Sequence, residues 1–538
     1  MKTGLELRTL VEECIDVESD ELRDVLKSGT KPERALALEA VARTHIRKAL
    51  ETYAELALLE DYGNQATLSI LDKIAPLSDI VEPYLDTVKR IGIRAAQAGN
   101  FEPAMTYLQH VVNLAITFSQ RRDARSRRLM RFIQDAEIDR SIESMAARFS
   151  PPDAPVPMQG RPRLAITCSA IQDEDGPTVL IVKRAHQFRR FGWDVDIVST
   201  EMAQSEQSRQ LATLRADGFS FFTIAGGSYE QRIHSLVNHF QNRPAHAISW
   251  TTSAVDNLGK LGACIGLAPV QSWDNRSAEP FVGKFDLVYQ GVSPEQEIKT
   301  NFPGKSRFFG SAVAMAEEID AAEPFSRAEL GVPEDAVLLG TFGRMEKANT
   351  AIWLDAITTA LRAEKHAWLV LAGRDGLSAI QEMMRRFNEA GVGERVRYLG
   401  PRQSDAPRLV KSIDIYCDTY PWPGGQSLLD AMQAARPVVA MRSARDTNFD
   451  PSGVGAHSFM SEAVLDGILD LAPAGDSDAY AALIRRYIGN AKLREADGAR
   501  VREKAVKDCN MAEGTRRYSD ALLELVRAKV NGVPEVGV

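Results

Sequence analysis

The sequence predicts an α/β protein in which two successive doubly wound domains, each with a parallel sheet, follow an all-helical N-terminal region. Three observations carry that reading. Residues 1–149 show helical periodicity only, residues 150–163 hold a proline-rich linker, and from residue 164 short apolar runs alternate with amphipathic stretches. The alternation starts afresh near residue 337. Strands that alternate with helices build parallel sheets through crossover connections, so a restart means a second sheet.

In the helical region, Leu36, Val41, Ile46, Leu50, Tyr53 and Leu56 recur at three-to-five-residue spacing, which marks one helix face. Ala98-Gly99-Asn100-Phe101-Glu102-Pro103-Ala104 reads as the tight turn of a helical hairpin. No repeat of about 34 residues is found, so a full tetratricopeptide array is not supported. Four prolines within 150–157 then stop any helix.

The first α/β domain, 164–325, has strand-like runs at 164–168, 195–199, 219–224 and 245–250, with a helix at 230–240. Residues 179–191 read as a helix, or as a strand running into one. The second domain, 326–505, has strands at 337–342, 368–373, 396–400, 413–417 and 437–440, with helices at 350–361, 380–390 and 427–435. Residues 506–538 read as a C-terminal helix.

Bulk properties narrow the function. A chain of 538 residues is too long for one core, and 44% apolar with 26% charged residues is an ordinary globular composition. A net charge of -8 gives no footprint for a nucleic-acid partner. Cys14, Cys168, Cys264, Cys417 and Cys509 are odd in number and lack Cys-x-x-Cys spacing, against a disulfide framework or zinc cluster. Glu6, Glu12, Glu13 and Asp16 break up any secretion signal, and no apolar run approaches the ~20 residues of a membrane span. A cytoplasmic protein without stable membrane insertion is expected.

Three segments of the second domain lie at the carboxyl ends of predicted strands, where such sheets bind ligands. Phe342-Gly343-Arg344-Met345-Glu346-Lys347 places two cations there. Arg344 and Lys347 suit a departing diphosphate, and fixed cations can do the work of a metal. In Asp418-Thr419-Tyr420-Pro421-Trp422-Pro423-Gly424-Gly425-Gln426-Ser427-Leu428-Leu429-Asp430, Gly424 and Gly425 admit a ligand to the backbone. A helix opening near Ser427 offers N–H groups to phosphate, and Asp430 suits ribose hydroxyls. Taken singly, Ser427 also reads as an N-cap and Asp430 as a partner of the helix dipole. Leu399-Gly400-Pro401-Arg402-Gln403 suits the edge of a base, with Arg402 foremost.

Asp418-Thr419, the loop through Gly424, and Asp430-Ala431-Met432 resemble the nucleotide loop of O-linked N-acetylglucosamine transferases and of the bacterial cytoplasmic N-glycosyltransferases that modify adhesins. In that family a second Asp follows the first by twelve residues, as Asp430 follows Asp418. Tyr420-Pro421-Trp422 is similar to the aromatic-Pro-aromatic of the bacterial branch. Lys347 follows Phe342 at the family's phosphate-lysine spacing, and Leu267-Ala268-Pro269-Val270-Gln271 is similar to its Ala-Pro-Ile-Gln segment. The resemblance spans 245–440 and departs at Gly424-Gly425-Gln426-Ser427 and at Ser272-Trp273-Asp274-Asn275-Arg276. It implies the GT-B fold, two Rossmann-like domains facing a cleft, and an inverting transfer from a nucleotide-diphosphate sugar, UDP-linked, to a protein side chain. It makes Lys347 the phosphate ligand, Asp430 the ribose ligand, Gln426 a diphosphate contact and Gln271 an acceptor-side residue, with no cofactor beyond the donor. Retaining GT-B enzymes place paired glutamates where Trp422 and Asp430 stand, and Trp422 cannot serve.

Other signals are weaker. Asp194-Val195-Asp196 has a metal-site spelling but opens a half-exposed strand, and His234 and His239 are wrongly spaced for zinc. No metal is expected. Arg121, Arg122, Arg125, Arg127, Arg128 and Arg131 read as a solvated helix face, or as a dock for an acidic acceptor protein. Two other functions remain open: a lipid-linked or polysaccharide acceptor met through the basic-apolar stretch 179–191, and a silent partner-binding protein.

Overall fold

The computed structural model describes residues 81–119, 129–133, 135–152, 160–173, 176–200, 205–224, 226–251, 256–275, 282–290, 306–308, 316–375, 379–402, 404–421, 423–442, 461–462 and 464–531. The helical periodicity at 33–62, Arg121 to Arg128, Gln403 and Trp422 lie outside them. The chain forms two compact units: 1–150 with 226–233 and 254–264, and 151–225 with 234–253 and 265–538.

In the first unit, α1 (Val81–Gln97) and α2 (Phe101–Ser119) form a hairpin, and α3 (Ala136–Ala146) packs on α1. The turn falls where the sequence places it: Gly99 adopts φ 79°, and Asn100 N–H donates to Ala95 O at 2.9 Å. Tyr84, Leu85, Val88, Ile91 and Ala95 recur at helical spacing and are all buried. Asp135 caps α3, and Lys89 Nζ donates to its carboxylate at 2.7 Å. Segments 226–233 and 254–264 are part of this unit because polar groups tie them to the helices. The Asn257 N–H donates to Gln109 Oε1 at 3.0 Å, and fully buried Lys260 pairs with Asp139 at 2.8 Å. Arg131 pairs with Asp86 at 3.1 Å.

The second unit holds two parallel sheets. The first has strands β1 (Arg163–Cys168), β2 (Asp194–Ser199), β3 (Ser220–Thr223), β4 (Ala247–Trp250), β5 (Val270–Asn275), β6 (Leu287–Gln290) and β7 (Ser306–Phe308). Their order is β3-β2-β1-β4-β5-β6-β7. The helices that fall between these strands along the chain include α4 (Gly176–Arg190), α5 (Arg209–Ala216), α6 (Tyr229–Asn242) and α7 (Asn257–Ile265). Residues 179–191 are thus helix. Ile181 and Phe188 are buried in the core and Arg184 is fully buried against Asp274, so this stretch is no membrane-facing patch. Asp196 is also spent internally, accepting from Arg243 Nε at 2.7 Å and Nη2 at 2.8 Å. Among the described residues no group of three or more ligands could hold a metal, and no helix is long and apolar enough to cross a membrane.

After α8 (Ala316–Ala321) comes the second sheet: β8 (Val337–Phe342), β9 (Ala367–Ala372), β10 (Val396–Tyr398), β11 (Ile415–Cys417) and β12 (Val438–Val439), ordered β10-β9-β8-β11-β12. Its helices are α9 (Ala351–Ala363), α10 (Ala379–Glu389), α11 (Ala406–Ser412), α12 (Gln426–Gln433), α13 (Ser477–Ile488) and α14 (Ala491–Asp508). The order reverses between β8 and β11, which opens a crevice at their carboxyl ends. The last helix, α15 (Met511–Asn531), returns to the first sheet. Its Tyr518, Leu522 and Val526 complete the core formed by Leu164, Ile166, Phe188 and Trp193. Tyr518 OH lies 2.6 Å from Ser272 Oγ, and Trp193 Nε1 donates to Ser519 Oγ at 2.8 Å.

Candidate active site

The carboxyl edge of the second sheet is built from bare backbone. β8, β9 and β10 run into Gly343, Gly373 and Gly400, with φ of 128°, 149° and 71°. The strand ladder continues through them: Gly343 N–H donates to Ala372 O and Gly373 N–H to Gly400 O, both at 2.9 Å. A Cβ on Gly373 would sit 1.6 Å from Gly343 O, so a side chain there is incompatible with this approach. Met345 N–H donates to Arg374 O at 2.9 Å and fixes the turn that carries both cations.

Arg344 is exposed, and its guanidinium has no partner among the described residues. Lys347 is half-buried, with Nζ donating to Pro423 O at 2.8 Å. The turn after β8 and the loop after β11 therefore meet. Thr350 Oγ1 adds a second tie, donating to Tyr420 O at 2.8 Å.

The loop after β11 is held from beneath. Asp418 is 1% exposed. Its Oδ1 accepts from Gly424 N–H at 2.6 Å, and its Oδ2 accepts from Ser461 Oγ. Its carbonyl oxygen accepts from Trp353 Nε1 at 3.0 Å and Tyr480 OH at 2.6 Å. Burial pushes the Asp418 carboxyl up to about 6, against hydrogen bonds from Ser461, Gly424 and Thr419 and the charge of Lys347. Burial and the Asp418 charge also push the Tyr416 phenol well up.

Gly424 is sterically required, since a Cβ would meet Tyr416 OH at 2.2 Å. Gly425, at φ 63°, is the N-cap of α12, so Ser427 is not. The Ser427 hydroxyl instead ties the first turn to the sheet: its Oγ lies 3.0 Å from Phe342 O and 2.9 Å from Tyr416 OH. The first-turn N–H groups of α12, which a helix leaves without intrahelical partners, begin at half-buried Gln426. Asp430 lies one turn in and is only 6% exposed, more enclosed than a residue lining an open cleft. Arg402 is exposed past β10, with Nε donating to Leu399 O at 3.2 Å and an ion pair to Asp405 at 3.5 Å.

The structure thus brings together Lys347, Gly424, Gly425, Gln426, Ser427 and Asp430, with Arg344 and Arg402 on flanking loops. Gln271 stands apart. It is the second residue of β5, at the amino end of the first sheet, and its side chain is spent within the fold. Its Oε1 accepts from Trp250 Nε1 at 3.1 Å, and its Nε2 donates to Lys284 O at 2.9 Å. That placement sets Gln271 away from the carboxyl ends of the sheet, where ligands of such sheets bind. Sequence reasoning missed the supports of the loop, Trp353, Tyr480 and Ser461, which are far from it along the chain. It also missed the glycine row, although a glycine after each of three strands is a visible signal. Across the unit, Arg374 Nη2 donates to Asp173 O at 3.2 Å, joining the loops after β9 and β1.

Comparison with known proteins finds a family match over the second sheet. Residues 336–490 match the family model of glycosyl transferases group 1. Among solved structures, a glycosyltransferase from Rickettsia africae is 10% identical, with TM-score 0.54 over 68% of this chain and 99% of its own. HepE from Anabaena, in complex with UDP and glucose, is 15% identical, with TM-score 0.51 over 67% of this chain and 99% of its own. Sucrose-phosphate synthase from Thermosynechococcus elongatus is 14% identical, with TM-score 0.51 over 68% of this chain and 100% of its own. No curated protein sequence matches the chain. With a match to glycosyl transferases group 1 over residues 336–490, from the strand ending at Phe342 through the loop gripped by Asp418, and a GT-B fold, the chain is a glycosyltransferase.

Proposed function

We propose that the protein moves a sugar from a UDP-linked donor to a protein side chain, with inversion and without a metal. The observation that carries this reading is the meeting of the Lys347 ammonium with the glycine loop that opens α12. The acceptor attacks the anomeric carbon from the face opposite the diphosphate, and negative charge grows on the departing phosphate. Lys347, Arg344 and the N–H groups of the first turn of α12 neutralise that charge. Gly424, Gly425, Gln426 and Ser427 bring the backbone to the diphosphate, Asp430 holds ribose, and Arg402 lies by the base. UDP as the nucleotide is supported by the likeness to HepE, which was crystallised with it. A protein acceptor is supported by the loop motif from Asp418 to Met432.

Mass spectrometry of candidate acceptor proteins, after incubation with the enzyme and a panel of nucleotide sugars, tests the reading. The expected result is a mass gain of one sugar residue, from a UDP sugar, that survives excess chelator. Transfer only to lipid-linked or polysaccharide acceptors, or a strict requirement for Mg or Mn, refutes it.

A further inference from the structure

We infer that Asp418 is a positioning residue of the transfer reaction: with Lys347 it grips the single peptide group between Pro423 and Gly424 and so sets the loop against which the donor diphosphate lies. The inference rests on the function proposed above and adds to it a residue with no contact to substrate. The carbonyl of that peptide group accepts from Lys347 Nζ at 2.8 Å, and its N–H donates to Asp418 Oδ1 at 2.6 Å. Because C=O and N–H of a trans peptide point opposite ways, the cation and the anion hold it from opposite sides. Both bonds are charge-assisted, about twice the strength of neutral ones. Gly425 follows at once and caps α12, so the orientation of this one peptide fixes where the helix N-terminus begins.

Asp418 is itself immobilised. Ser461 holds Oδ2, Trp353 Nε1 and Tyr480 OH hold its carbonyl oxygen, and its N–H donates to Val439 O at 2.9 Å. A carboxylate so deeply buried is an expensive way to hold a loop, since burial disfavours its charge. A neutral acceptor would anchor the chain at lower cost, and what it lacks is the field across the peptide toward Lys347. The titratable groups around Asp418 among the described residues are Lys347 from the turn after β8, Tyr416 and Cys417 from β11, Tyr480 from α13 and, beyond Tyr416, Asp430 from α12.

The experiment compares wild type with Asp418→Asn and Asp418→Ala in the full chain. Donor turnover is measured from pH 5 to 8, and hydrogen exchange is followed over residues 418–428. Asp418→Asn is expected to fold and to lose about tenfold in turnover at pH 7.5, and Asp418→Ala about a hundredfold, on the scale of misplaced catalytic groups. The acid limb of the wild-type profile near pH 6 should flatten in Asp418→Asn. Exchange at 418–428 should speed up at least tenfold in both variants, with the rest of the second sheet unchanged. An Asp418→Asn protein with wild-type turnover, or with unchanged exchange at the loop, overturns the inference. If Asp418→Ala does not fold, Asp418→Asn decides alone. If wild type itself transfers no sugar, the proposed function fails, and the exchange comparison still tests the grip on the peptide.

Discussion

Gly373→Ala tests the tightest contact of the candidate site. A Cβ at this position lies 1.6 Å from Gly343 O and 2.6 Å from Gly343 C, and ordinary contact begins at 3.4 Å, so the two loops must part by about 1.8 Å. Both opposing atoms are backbone, so no side chain can swing away to absorb the change. The turn that must move begins at Gly343 and carries Arg344 and Lys347. A displacement near 1 Å in groups that act on the leaving diphosphate costs about 10²-fold in rate. The control is Gly343→Ala, where a Cβ meets nothing within 4 Å and only the φ of 128° is strained. That strain is worth about 1–3 kcal/mol of stability. Turnover with saturating donor, normalised to folded protein by circular dichroism, separates the two. Gly373→Ala should fall at least tenfold below Gly343→Ala. Equal turnover in the two folded variants would show that the approach of these loops does not set the cations.

Lys347→Ala should lower turnover by about 10²-fold with little change in melting temperature, since the charge matters most as the diphosphate departs; wild-type turnover in a folded variant removes the proposed role. Asp430→Asn should weaken donor binding by about 1.5–3 kcal/mol, the worth of a hydrogen bond to a charged group, read by calorimetry with UDP; unchanged affinity would detach Asp430 from ribose. Arg184→Met leaves Asp274 buried without its cation and should cost about 3–5 kcal/mol in urea unfolding, and a loss under 1 kcal/mol would contradict the pairing. For Asp418, the folded carboxyl sits near 6, above its unfolded value, so the folded state binds the proton more tightly. Its contribution to stability is full below the unfolded pKa and is lost as pH rises through about 6. The stability difference between Asp418→Asn and wild type should therefore shift in favour of Asp418→Asn as pH rises from 3.8 to about 6 and stay level above, and a shift of the opposite sign over that window would reverse the assignment.

The second sheet and β1 to β4 of the first were legible because their strands are short apolar runs set off by glycine and proline, whereas β5, β6 and β7 were not read. The loop from Asp418 to Asp430 was legible for the same reason. Its Pro-Gly spelling admits few conformations, and Lys347 follows a strand end in plain view. What holds the loop was not legible. Tyr480 and Ser461 reach Asp418 only through tertiary folding, and nothing local in either stretch announces it. Ser427 has the spelling of a cap, yet Gly425 takes that place because the chain must turn through positive φ there. Gln271 sits in a stretch similar to a family motif, but its direction depends on which end of β5 it occupies. The destination of α15 could not be read from an amphipathic pattern that fits any apolar surface.

The return of α15 bears on the order in which the chain can fold during synthesis. Strand β1 leaves the ribosome some 350 residues before Tyr518, yet Tyr518, Leu522 and Val526 lie in the same core. Until that helix is made, Trp193 lacks the acceptor for its indole N–H, and Ser249 and Ser272 lack the phenol that lies between them. The second sheet, with strands from 337 to 439, is closed by core residues no later than Cys509. A nascent chain should therefore protect its later domain first and its earlier one last, the reverse of the usual vectorial order.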